Sequence, residues 1–372
     1  MVHVNEIIKL TKCKSVSVYG FGNGFNTLKV AVLDKYNIDV DHVFDIKAEN
    51  TLKVNKWYLH NPRKISKLRA SLSNTVIISI GDKAIFESLK KKLKRYFPYI
   101  FWAFEIIQYH FIFSTPQEIS YSSNIIFNEE SSITRVENLL SDSESIRIYR
   151  KVISFYRKKS DARIQLSQFH QYFDKCLIDF SLVQSICICG GFDEKCITNV
   201  NENGSDVTNL FVFEPCKTHY KTLTNQTTNF ENIKNLVNLP IAVGKELSNG
   251  FLDENGTNSH LSIVPTNQSV VVNSIDNMFK FCEIDYFTID VEGFENDVIE
   301  GARNYIEKNS PIMAIAVYHR IDDIWQIPGR IYSINPTYKF YIRNYSGYIT
   351  ETIVYAIPRS KLIKRNIEGL NN

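Results

Sequence analysis

Phe287-Thr288-Ile289-Asp290-Val291-Glu292-Gly293-Phe294-Glu295 passes from an apolar run into acids around a glycine, and its surroundings decide the fold. Residues 286–289 are short and apolar, as a strand buried on both faces must be. Residues 292–306 repeat Phe294, Val298, Ala302 and Ile306 at four-residue intervals, which predicts a helix. Pro311 ends that helix before a second apolar strand at 312–317. Strand, helix and strand in this order predict a parallel sheet flanked by helices.

Working outward, the same alternation recurs. Strands are expected at 183–189, broken by Gly190-Gly191, and at 210–213 and 239–243. The last two candidates, 338–343 and 352–357, flank Ser346-Gly347-Tyr348, a turn suited to an antiparallel hairpin. Near the N-terminus a strand at 15–19 runs into Gly20-Phe21-Gly22-Asn23-Gly24 and a helix at 27–36. A strand at 40–44 follows, ending in Asp45, and then one at 75–80 leading to Gly81-Asp82 and a helix carrying Ile85, Leu89 and Leu93. The aromatic run Tyr96-Phe97-Pro98-Tyr99-Ile100-Phe101-Trp102 reads as buried ends closing this first domain. Residues 128–145, rich in Ser, Asn and acids, read as exposed caps and turns at a boundary, and 146–173 as helical.

These readings predict an α/β protein of two Rossmann-like domains. The expected divisions are 1–113, a helical connector at 114–180, a second domain at 181–358 and a tail at 359–372. At 372 residues the chain is long enough for two cores, and 44% hydrophobic with 22% charged residues is the balance of a folding chain. A net charge of +3 argues for no nucleic-acid groove. No signal peptide or membrane span is evident. The seven cysteines include Cys187 and Cys189, which share one face of a strand. No second Cys/His pair at zinc-ligand spacing accompanies them, so they are expected as core residues, with no metal, and as reduced thiols in a cytoplasmic protein.

In an open parallel sheet, ligands bind beyond the carboxyl ends of the strands, where Gly190, Glu214, Asp290 and His319 fall. Backbone can approach a ligand at a glycine turn, and an acid at the second strand's end can accept protons from both hydroxyls of a ribose. Asp290 and Glu292 stand where strand becomes helix, and His319 follows strand 312–317 with a side chain able to accept a proton. The bland alternatives are that Glu292 only favours a helix N-terminus, Glu214 only starts a helix before Pro215, and His319 only packs.

The stretch Asp290-Val291-Glu292-Gly293-Phe294-Glu295 resembles the Asp-x-Glu-Gly-x-Glu motif of FkbM-type methyltransferases. The likeness extends through Ala316-Val317-Tyr318-His319-Arg320, Asp322-Asp323 and Tyr341-Ile342-Arg343-Asn344-Tyr345. It also includes Phe213-Glu214-Pro215, Asn273-Ser274-Ile275-Asp276 and the connector Gln171-Tyr172-Phe173. The resemblance implies a methyltransferase fold binding S-adenosylmethionine through Gly190, Gly191, Asp193 and Glu214. It implies catalysis by Asp290, Glu292 and His319 on a hydroxyl of a sugar or glycan precursor. The chain departs from the family pattern with Ile188 before the glycine turn and Glu194 where a second glycine is expected. A fold that has lost its cofactor and serves as a binding or scaffold protein is therefore the alternative. The first domain resembles the Rossmann-like module attached to such enzymes, through Gly20-x-Gly22 and Asp45. Phe25 stands where the dinucleotide fingerprint has its third glycine, which favours a structural or nucleotide-sugar-sensing role over NAD-dependent hydride transfer.

Overall fold

A computed structural model of the chain describes residues 14–34, 37–54, 56–80, 83–103, 106, 126, 128–157, 163–190, 194–203, 206–227, 233–255, 258–262, 266 and 268–363. The chain divides into two compact units, Met1–Ser122 with Lys158–Asp161, and Ser123–Arg157 with Ala162–Asn372.

The first unit is built on strands β1 (Ser15–Tyr19), β2 (Asp39–Phe44), β3 (Leu52–Val54), β4 (Trp57–His60), β5 (Thr75–Ile78) and β6 (Tyr99–Trp102). Their order is β3-β4-β2-β1-β5-β6, parallel except for β3, which runs antiparallel to β4. The switch point of this order lies at β1, which is followed by the glycine turn. After the turn come helix α1 (Asn23–Leu28) and a π-helical stretch, Lys29–Leu33, so the expected single helix begins earlier and changes its winding. Phe25 is buried against Phe21 and Trp57, with ring centroids 5.5 and 5.6 Å away. The residue standing where a third glycine was expected is thus part of this unit's core. Helix α2 (Lys83–Leu93) follows β5; Gly81 and Asp82 lie outside the described residues.

The second unit opens with helices α3 (Glu130–Glu137) and α4 (Ser143–Tyr156). The first of these occupies part of 128–145, where turns were expected: Ile133 and Val136 give the segment a buried face that its polar composition concealed. Asp142 caps α4 by accepting the Ser145 N–H at 2.7 Å, and also pairs with the buried guanidinium of Arg343 at 2.6 Å.

The main sheet contains β7 (Ser185–Cys189), β8 (Asn209–Phe213), β9 (Asn235–Leu239), β14 (Tyr286–Ile289), β15 (Ile312–Ala316), β16 (Tyr338–Asn344) and β17 (Thr352–Pro358). Its order is β16-β17-β15-β14-β7-β8-β9. The first five strands in chain order are mutually parallel, and β16 and β17 form the antiparallel hairpin that the Ser346-Gly347-Tyr348 turn predicts. Between β9 and β14 a smaller sheet intervenes, from β10 (Ala242–Val243), β11 (Ser248–Asn255), β12 (Asn258–Ser262) and β13 (Gln268–Asn273). The expected strand at 239–243 is split between the two sheets: Pro240, which has no N–H to donate, stands at the break.

Helices α5 (Glu194–Asn203) and α6 (Lys217–Thr227) follow β7 and β8. A short turn of helix, α7 (Ile275–Met278), precedes β14. The helix expected at 292–306 is two, α8 (Glu295–Glu300) and α9 (Arg303–Asn309). The break falls at Gly301, where a Cβ would lie 2.1 Å from the Gly244 carbonyl oxygen, so backbone packs directly on backbone there. Helix α10 (Asp323–Ile334) lies between β15 and β16. Cys187 and Cys189 are fully buried free thiols with sulfurs 3.7 Å apart, and burial pushes the Cys187 thiol well up. No helix among the described residues is long and apolar enough to cross a membrane.

Candidate active site

The strand register sets the site. Cys189 is the last paired residue of β7, opposite Phe213 of β8 and Ile289 of β14. The next residues, Gly190, Glu214 and Asp290, therefore leave three adjacent strands at one level of the carboxyl edge. Backbone bonds continue the ladder there: Gly190 N–H donates to Phe213 O at 3.0 Å and Asp290 N–H to Cys189 O at 2.9 Å. Gly190 has φ +84°, and a Cβ on it would lie 1.7 Å from the Asp290 carbonyl oxygen. This glycine is dictated first by its own neighbour, before any ligand is considered.

After β14 the chain turns through Glu292 (φ +53°) and Gly293 (φ +98°) into α8. Because α8 begins at Glu295, Glu292 precedes the helix, and Glu295 and Asp297 are the acids of its first turn. Glu295 is fully buried. Its Oε1 accepts from Val291 N–H at 3.0 Å and Gly293 N–H at 3.3 Å, and lies 2.8 Å from His319 Nδ1. The opposite nitrogen, His319 Nε2, is 3.5 Å from both Asp290 Oδ1 and Glu292 Oε2. Two phenols donate to Asp290 Oδ2, Tyr172 at 2.6 Å and Tyr318 at 3.2 Å. Tyr172 comes from the connector ahead of the sheet, in a left-handed conformation (φ 66°), with its own carbonyl accepting from the Tyr286 hydroxyl.

The charges follow from this crowding. Burial disfavours an imidazolium at His319, but Glu295, Asp290 and Glu292 outweigh it and push the pKa up to about 10. Burial also works against the Glu295 carboxylate; the His319 cation and the hydrogen bonds from His319 and the turn amides still hold it below its ordinary value. Asp290 and Glu292 are raised, by burial first, despite the attraction of His319. Buried Asp323, which accepts from Asn296 at 2.9 Å and Arg320 N–H at 3.0 Å, is held well up by burial and by Glu295.

Among the residues named from the sequence, Asp290, Glu292 and His319 come together. Glu214 stands at the same edge, buried, with Oε1 accepting from the Cys216 N–H at 2.7 Å. Gly191 and Asp193 lie outside the described residues. Glu295, Tyr172, Tyr318 and Asp323 were given no role from the sequence. Glu295 had a visible signal as the last acid of the opening stretch, whereas Tyr172 stands 118 residues before its partner. Asp290, Glu295 and His319 approach closely enough to be considered for a metal. The 2.8 Å contact between His319 and Glu295 is, however, of hydrogen-bond length, and a proton fits between them better than a shared ion. A recess of about 240 Å³ lined in part by Arg135, Arg303 and Arg330 contains none of these acids.

Residues 193–346 match the Methyltransferase FkbM domain family. In fold, the chain is similar to the crystal structure of Methyltransferase FkbM from Methylobacillus flagellatus KT, with a TM-score of 0.68 and 17% identity over 95% of this chain and 92% of that one. No curated protein matches the chain. The segment that matches the Methyltransferase FkbM domain runs from α5 to the end of β16, lies within the second unit and contains Glu214, Asp290, Glu292, Glu295 and His319.

Proposed function

We propose that the second unit transfers a methyl group from S-adenosylmethionine to a hydroxyl of a sugar or glycan precursor. The observation that carries this reading is the common level of Gly190, Glu214 and Asp290 on three adjacent strand ends. Glu214 is the ribose ligand, accepting from the two hydroxyls, and Gly190, Gly191 and Asp193 bind the remainder of the cofactor. Two features fit that assignment: Glu214 is already oriented by the Cys216 N–H, and it is buried beside the sheet edge. When bound, S-adenosylmethionine supplies an activated methyl group, so catalysis rests mainly on positioning the acceptor.

The acidic cluster then handles the acceptor's proton. The carboxylates around His319 favour its imidazolium, which makes Asp290 the preferred first acceptor. Asp290, with its raised affinity for a proton and its carboxylate held by Tyr172 and Tyr318, is the general base, contributing roughly 10²–10⁴-fold. Glu292 orients the acceptor, and His319 keeps the surrounding carboxylates ionised. The first unit serves as a structural or nucleotide-sugar-sensing module, and the protein works in the cytoplasm.

A second reading has its own observation. Ile188 lies in the main apolar core, 1% exposed, so the position that carries an acid in the family is given over to packing. On this reading the domain keeps the fold without the cofactor. Isothermal titration with S-adenosylmethionine separates the two: the methyltransferase predicts binding that weakens by tenfold or more in Glu214→Ala, about 1.4 kcal/mol. No heat with the parent protein leaves the scaffold.

A further inference from the structure

We infer that Glu214, Cys216 and His219 form a Zn²⁺ site at the tip of β8. The Glu214 carboxylate, the Cys216 sulfur and a His219 ring nitrogen offer ligand atoms that all lie within 4.8 Å of one another. Local structure explains the convergence: Glu214 directly follows the strand, Cys216 follows Pro215 in the corner, and His219 sits in the first turn of the eleven-residue α6. Glu214 and Cys216 are buried, and the His219 side chain is 20% exposed, which leaves an entry path.

The distances allow an ion, and the donor types select its kind. His219 Nδ1 is 3.8 Å from Glu214 Oε1, too long for a hydrogen bond. A nitrogen and an oxygen on one tetrahedral Zn²⁺, with bonds of about 2.0–2.2 Å, stand roughly 3.3–3.6 Å apart, so closing the pair by a few tenths of an ångström gives ligand spacing. His319 and Glu295, at 2.8 Å, are by contrast already joined by a hydrogen bond. A thiolate and an imidazole beside one carboxylate suit Zn²⁺ and its analogue Co²⁺, and are wrong for Mg²⁺ or Ca²⁺, which take oxygen ligands. Three ligands come from the described residues, and a tetrahedral ion takes a fourth. On binding, the Cys216 S–H bond breaks, its proton passes to buffer, and a sulfur–metal bond forms.

Glu214 is also the proposed ribose ligand, so a bound ion excludes S-adenosylmethionine. This consequence, unlike the site itself, rests on the methyltransferase reading. Cys216 and His219 belong to none of the motifs that carry that reading, which makes them the means of separating the two.

The test is titration of the purified full-length chain with Co²⁺, followed by absorption. The expected result is one Co²⁺ per chain with an intense near-ultraviolet sulfur-to-cobalt band, abolished by added Zn²⁺. Cys216→Ser removes the band, and His219→Ala weakens Co²⁺ by roughly tenfold or more, since even outer partners of metal ligands cost that much. Circular dichroism establishes that both variants are folded. Saturating Zn²⁺ at ten times its Kd weakens S-adenosylmethionine roughly tenfold in the parent and not in Cys216→Ser. A missing band, or one that survives in folded Cys216→Ser, overturns the site. A parent that shows the cobalt band yet never binds S-adenosylmethionine refutes the methyltransferase reading and leaves the zinc site standing.

Discussion

An acid stands at the tip of the second strand of each main sheet, and the two are used in opposite ways. Asp45, in the first unit, spends both carboxylate oxygens on exposed backbone, accepting from Phe21 N–H and Lys47 N–H at 2.8 Å each. Glu214 is buried at an edge shared with three more acids and a histidine. The histidines diverge in the same manner. His42 and His60 face each other with ring nitrogens 3.0 Å apart, and burial, His42 and Lys64 lower the pKa of His60. His319, among carboxylates, is raised. One strand–turn–helix plan thus supports two electrostatic regimes, and the neighbours, rather than the residue type, set the charge.

The largest effect expected from this contrast is His319→Ala. It leaves the fully buried Glu295 without its cation and should cost about 3–5 kcal/mol in urea unfolding. His60→Ala breaks its contacts to His42 and Thr51, costing about 1–2 kcal/mol. Equal losses would break the comparison. The glycine turns sharpen it next. Gly190→Ala forces a methyl onto the Asp290 carbonyl at positive φ and should cost roughly 2–4 kcal/mol. Gly22→Ala, with nothing within 4 Å of the new methyl, should stay within about 1 kcal/mol by the same measurement. Tyr172→Phe removes a phenol that donates to Asp290 and should cost about 1–2 kcal/mol, with no change in the first unit's thermal transition.

Much of this contrast could be read from the chain. Apolar strands with a glycine or acid just after them located Gly190, Glu214 and Asp290, because a doubly buried strand leaves little sequence freedom until it emerges. The terminal hairpin was equally plain. The small sheet from β10 to β13 was not, since Ser248–Asn255 and Asn258–Ser262 are polar and carry no buried-strand signature. Within the site, Asp290 and His319 were visible as residue types at strand ends. The protonation of His319 was hidden, because it depends on Glu295 reaching back from the next helix. Tyr172 escaped for a related reason: its left-handed backbone and long-range contact to Asp290 leave no periodic trace.

The smallest and most discriminating effect is the pH dependence of the two units. A histidine raised in the folded state stabilises fully below its unfolded pKa, about 6.5, and that contribution is lost as pH rises through about 10. Glu295, lowered, contributes above its unfolded value of about 4.3 and loses the contribution as pH falls through its folded one. His60, also lowered, has its contribution in place above about 6.5 and loses it on acidification. Between pH 7 and 10 the second unit should therefore weaken through His319 while His60 leaves the first unit unaffected; below 6.5 the histidine terms exchange roles. Proton NMR of the imidazole Cε1–H signals, assigned with His319→Ala and His60→Ala, measures both directly. A His319 ring that titrates near 6.5 would mean its carboxylate neighbours are protonated or displaced, and Asp290 could no longer be preferred over His319 as the base.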